Sequence, residues 1–99
     1  MLFPLSTKNR CKTFQGCAVD KIEEILTITQ EECGELVQVI SKVRRFGMDS
    51  NRDHLLKEAG DVLCMIDLML ENNIITKEEL DVAKQSKREK LTVWSKIFD

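Results

Sequence analysis

The sequence predicts an all-α fold, an antiparallel helical bundle, on three observations. Apolar residues recur at spacings of three and four over long stretches, the period of one helix face. Turn-forming residues are scarce, with one Pro and four Gly in 99 residues, and Tyr is absent, which argues against an all-β chain full of tight turns. The breaks in the apolar pattern are short, and short connections favour antiparallel neighbours.

Residues 1–18 show no sustained period and hold the only Pro together with Cys11 and Cys17, so they read as an N-terminal arm. A single domain is predicted over 19–99. Its first helix runs from about Val19 to Phe46, where Ile22, Ile25, Leu26, Thr29, Cys33, Leu36, Val37, Ile40 and Val43 repeat with helical spacing. Gly34 inside it costs about 1 kcal/mol relative to Ala. Gly47 stands where a C-terminal cap is expected.

The second helix is predicted over Arg52–Glu71. Ser50 followed by Asp53 resembles a capping start, and Asn72-Asn73 ends the helix. Thr76-x-x-Glu79 is a capping box opening a third helix, predicted to reach about Phe98. That helix carries Leu80, Ala83, Leu91, Trp94 and Phe98 on one stripe, with Trp94 expected in the core. The apolar arcs of these helices cover about half the circumference, wider than the roughly 100° of a minimal amphipathic stripe. One chain cannot cover them all, which predicts a homodimer or a dimer of dimers.

Composition narrows the function classes. Fifteen basic and 17 acidic residues leave a net charge of −2, which speaks against nucleic-acid coating or a basic membrane patch. No run approaches the roughly 18 apolar residues of a membrane span. Met1-Leu2-Phe3-Pro4-Leu5 lacks the charged start of a signal peptide. The expectation is a cytoplasmic protein with reduced thiols, Cys33 and Cys64 serving as small packing residues. His54 is the only His, and no C-x-x-C occurs, so zinc is disfavoured.

The informative residues are acids in places where apolar residues belong. Glu32 and Glu35, and likewise Glu58 and Asp61, are spaced i, i+3 and leave the same side of their helix. At about 100° per residue, Glu32 falls inside the apolar arc of the first helix, Glu35 at its edge, and Glu31 further out toward water. Glu58 and Asp61 fall within or beside the arc of the second. Core-facing carboxylates must be paired, protonated or metal-bound. One reading is salt bridges at the bundle rim, with Lys42, Arg44, Arg45 or Arg52 as partners. The other is a cation site in which the two pairs converge across an antiparallel helix pair. Oxygen donors without Cys or His select Mg²⁺ or Mn²⁺.

A di-iron bundle wants Glu-x-x-His on two helices, and neither pair has His in the fourth place. His54, four residues before Glu58, can neighbour it but supplies one imidazole at most. On the third helix Lys87 lies within the apolar stripe and Lys90 at its edge. Their stems can snorkel along apolar surface, or their ammonium groups can reach a phosphate chain held by the metals. No Gly-rich phosphate loop is present, and Ser and Cys lack a plausible His base in local sequence, so nucleophilic catalysis is unsupported.

At these residues the sequence resembles the MazG-like nucleoside triphosphate pyrophosphohydrolases of the all-α NTP pyrophosphatase superfamily. Their hallmark is E-x-x-E, a gap, then E-x-x-D, which reads here as Glu32-x-x-Glu35, residues 36–57, then Glu58-x-x-Asp61. The flanks EECGELVQVISKVRRFG and LLKEAGDVLCMIDLML are similar as well, and the resemblance covers about residues 20–95. It implies an obligate homodimer, often paired into a tetramer, and Mg²⁺-dependent hydrolysis of an NTP or dNTP to the monophosphate and pyrophosphate. It implies Glu32, Glu35, Glu58 and Asp61 as metal ligands, Glu35 or Glu31 as the group that takes the water's proton, and Lys87 and Lys90 as phosphate contacts. In such enzymes residues before the first motif often grip the base, and here only Phe3, Phe14 and Gln15 offer themselves. Phosphoribosyl-ATP pyrophosphohydrolase is an alternative within the superfamily. Outside it, the alternative is a non-enzymatic helical interaction protein with structurally paired acids, indifferent to metal.

Overall fold

The computed structural model describes residues 18–99, which form three α-helices and no strand. They are α1 (Ala18–Phe46), α2 (Arg52–Glu71) and α3 (Lys77–Trp94). The predicted arm, with Cys11, Cys17, Phe3, Phe14 and Gln15, lies outside the described residues apart from Ala18, which opens α1.

Each helix ends for a local reason. After α1, Gly47 takes φ +100°, a conformation costly for any residue with a Cβ, and its N–H donates to the Val43 carbonyl at 2.8 Å. The residue preceding α2 is Asn51, not Ser50, and its side chain makes no capping bond. Its backbone (φ −121°, ψ 2°) is not the extended form from which a cap reaches forward, and its amide donates back to the Gly47 carbonyl at 3.0 Å. The α1–α2 turn is thus tied to itself rather than to the helix it precedes.

At the end of α2, Asn73 sits at φ +59°, tolerated by Asn better than by most side chains. The Ile74 N–H donates to the Met69 carbonyl and the Asn73 N–H to that of Leu70, at 2.9 and 3.2 Å. This is a Schellman motif with Asn in the glycine position. The capping box at α3 is present as expected: the Glu79 N–H donates to Thr76 Oγ1 and the Thr76 N–H to Glu79 Oε1, at 3.2 and 3.0 Å. The helix stops at Trp94 rather than near Phe98. Ser95 turns extended (φ −131°, ψ 155°), and its Oγ accepts the Ile97 N–H.

Packing joins α1 to α2 as a helical hairpin, while α3 has no comparable packing against either. The buried apolar residues, Ile25, Val39 and Met65, all belong to the hairpin. Trp94, expected in the core, is 64% exposed, because the helix that carries it is not packed on the hairpin as α1 and α2 are packed on each other. Val37, Phe46, Leu56, Leu63 and Ile97 are also exposed, as are the free thiols of Cys33 and Cys64, which were expected to pack. Among the described residues no helix is long and apolar enough to cross a membrane.

Candidate metal centre

The hairpin brings three of the four predicted carboxylates together. α1 contributes Glu32, and α2 contributes Glu58 and Asp61 from one face, one turn apart. One oxygen from each lies within 4.8 Å of the others. Glu58 is 4% exposed, and Glu32 and Asp61 are half-buried. Glu35 is half-buried but outside this group.

Three carboxylates this close cannot all stay ionised without a counter-charge or a shared proton. Burial raises the Glu32 carboxyl above its ordinary 4.5, and the charge and hydrogen bond of Asp61 and the charges of Glu58 and Glu31 raise it further. Asp61 moves the other way, below its ordinary 3.8, chiefly because Lys57 hydrogen-bonds it. Lys57 Nζ donates to Asp61 Oδ2 at 3.0 Å and stands 3.7 Å from Glu58 Oε1, close enough to attract but too far for a hydrogen bond. The pairing raises the ammonium of Lys57 in return, through the same hydrogen bond first. Opposite shifts make Glu32 the group that takes up a proton first as pH falls and Asp61 the one that keeps its charge longer.

His54 Nε2 lies 3.0 Å from Glu58 Oε2. Both partners of the acids are therefore one turn upstream on α2, at i, i+4, and not Lys42, Arg44, Arg45 or Arg52. The spacing that would have found Lys57 is legible in the chain, Lys57 to Asp61.

Two polar groups stay uncommitted. Glu58 Oε1 is buried without a hydrogen-bond partner among the described residues, and so are both oxygens of Glu31. Glu31, placed toward water by its angle from the apolar arc, is 7% exposed. At about 100° per residue it shares a side of α1 with Asp20 and Thr27, both buried too. α1 therefore has a covered polar side that an apolar count does not register.

Lys87 and Lys90 are both exposed on α3, and Lys87 Nζ stands 5.0 Å from the centre of the Trp94 ring. That is a cation–π contact rather than an approach to the carboxylates.

The donor set is all oxygen, and Glu58 within it has a buried carboxylate oxygen with no hydrogen-bond partner among the described residues. That suits a hard divalent cation such as Mg²⁺. A model of the MazG nucleotide pyrophosphohydrolase domain matches residues 20–90. The chain belongs to that family. The MazG match takes in both acidic motifs and α3 as far as Lys90. No curated protein and no solved structure matches the chain significantly.

Proposed function

We propose that this MazG domain hydrolyses a nucleoside or deoxynucleoside triphosphate between the α and β phosphates, releasing the monophosphate and pyrophosphate. The observation that carries the reading is the convergence of Glu32, Glu58 and Asp61 on a packed helix pair. Glu32, Glu58 and Asp61 would hold Mg²⁺, or Mn²⁺ in its place, with Glu35 joining them from the next turn of α1. When bound, the cation supplies charge for the phosphate oxygens and lowers the pKa of a bound water.

The chain's own groups do the rest. Asp61 keeps its charge at low pH through Lys57, so it presents a ready ligand. Glu31, both oxygens buried and uncommitted among the described residues, is the better candidate than Glu35 to accept the water's proton. Lys87 and Lys90 bind the phosphate chain once α3 is docked. A second copy supplies the surface for that docking, since α3 has no substantial packing among the described residues. The working unit is a homodimer or a dimer of dimers, and its triphosphate substrate fits a cytoplasmic protein.

The test is a panel of NTPs and dNTPs incubated with the full chain and Mg²⁺, with products separated by chromatography. The monophosphate and pyrophosphate are expected. A nucleoside diphosphate with orthophosphate would overturn the proposal even though hydrolysis occurred. A chain that neither hydrolyses any of them nor gains thermal stability from Mg²⁺ would be a helical interaction protein instead.

A further inference from the structure

His54 stands next to the carboxylates without belonging to them. Its Nε2 lies 3.0 Å from Glu58 Oε2, and an ionised carboxylate can only accept, so the imidazole donates. Glu58 is the most buried of the three acids, and its two oxygens are treated differently. Oε2 is held by His54, whereas Oε1 is buried with no hydrogen-bond partner among the described residues and has only the Lys57 ammonium, 3.7 Å away. A carboxylate tied at one oxygen loses the rotation that would exchange the two.

We infer that His54 is a positioning residue that locks the Glu58 carboxylate so that Oε1 is the oxygen offered to the divalent cation. The inference rests on the metal reading proposed above. It assigns His54 no place among the ligands and no part in proton transfer. Groups that hydrogen-bond a ligand from outside fix its orientation, and losing one typically weakens metal binding about 10- to 100-fold. The His54 side chain is 42% exposed, so shortening it leaves no cavity in the hairpin. A glutamine there keeps an N–H donor within reach of the residue four positions on.

The experiment is calorimetric titration of Mg²⁺ into the nucleotide-free full chain, for wild type, His54→Ala and His54→Gln, with circular dichroism on each. His54→Ala is expected to weaken Mg²⁺ binding about 10- to 100-fold with unchanged helix content, and His54→Gln to recover most of the loss. In hydrolysis assays the Mg²⁺ concentration for half-maximal rate should rise in His54→Ala, while kcat at saturating Mg²⁺ stays close to wild type. Alanine binding Mg²⁺ within threefold of wild type overturns the role of His54 and leaves the metal centre standing. Glutamine no better than alanine overturns it too, because the loss would then not be that of a donor. A wild-type chain that takes up no Mg²⁺ brings down the metal reading itself, and the inference with it.

Discussion

The α1–α2 hairpin and α3 are stabilised in different ways. The hairpin buries Ile25, Val39 and Met65 and holds three carboxylates with one oxygen of each within 4.8 Å of the others. α3 has no buried residue. It is held by local devices: the Thr76–Glu79 capping box, the Lys77–Asp81 ion pair at 3.1 Å and the Gln85–Glu89 hydrogen bond at 3.3 Å. Such pairs contribute about 0.2–0.5 kcal/mol each, and an isolated helix of this length is marginal in water. The hairpin can carry repulsion at its centre because packing offsets it. Among the described residues α3 has no such surplus, and its apolar stripe lies uncovered.

The sharpest way to break that contrast is Asp61→Asn. Loss of an outer partner of a metal ligand already costs about 10- to 100-fold, so loss of the ligand should lower kcat/KM by more than about a hundredfold. The metal-free hairpin should not notice. Lys57 is 67% exposed, and solvent screens an exposed i, i+4 pair, so the melt in chelator should barely move. A destabilisation of about 3–5 kcal/mol in chelator would instead mark a buried structural salt bridge.

Next is Leu91→Glu, which places a charge in the α3 stripe. Sedimentation of wild type at micromolar concentration should give a dimer or larger, and the variant a monomer with helix content lost from α3 alone. A stable wild-type monomer would show that α3 needs no cover.

The pH dependence separates the two acids that face each other across the hairpin. Glu32 must lose its proton to bind metal, so Mg²⁺ affinity should fall by about tenfold per unit as pH drops below its raised pKa and stay level above it. In the metal-free protein the stability linked to protonated Glu32 is present below 4.5 and is lost as pH rises through the raised value. Asp61 contributes the reverse: its stability is present above 3.8 and is lost as pH falls through its lowered value. Melts in chelator and Mg²⁺ titrations between pH 3 and 7 read both.

Smaller again is Lys87→Met, which keeps the stem and removes the charge. A hydrogen bond to a charged group is worth about 1.5–3 kcal/mol, so kcat/KM should fall at least about tenfold with helix content intact. An unchanged kcat/KM would return Lys87 to its contact with Trp94. The smallest effect is Thr76→Ala, which should lower stability by about 1 kcal/mol and fray α3 from its first turn.

Helix positions were legible because their causes are local. The α1 and α2 ends, the Gly47 stop and the Thr76 box all depend on residues within one turn. The α2 start was misread at Ser50 because Asn51 commits its side chain to the preceding turn, which no capping pattern announces. The α3 end was overrun because Trp94 and Phe98 continue the apolar spacing beyond Ser95, where the backbone has already turned extended.

At the site, apolar periodicity found Glu32, Glu58 and Asp61, since a carboxylate inside an apolar arc faces whatever that arc packs on. It missed Glu31, whose side of α1 is covered but polar. It also left Glu35 undecided, because an angle on a wheel says nothing of distance along the neighbouring helix. Spacing already put His54 within reach of Glu58, but Lys57, one turn before Asp61, was passed over for the more distant Lys42, Arg44, Arg45 and Arg52.

The short connection between α1 and α2 has a consequence in time. Glu32 meets Glu58 and Asp61 across a hairpin whose two arms are neighbours in sequence, and such local contacts form early, in microseconds to milliseconds. If α3 finds its cover on a second copy, that step is bimolecular and waits on concentration. Refolding would then run in two phases, one independent of dilution and one slowed by it. The carboxylate cluster would arise in the first phase, before α3 has a surface to rest on.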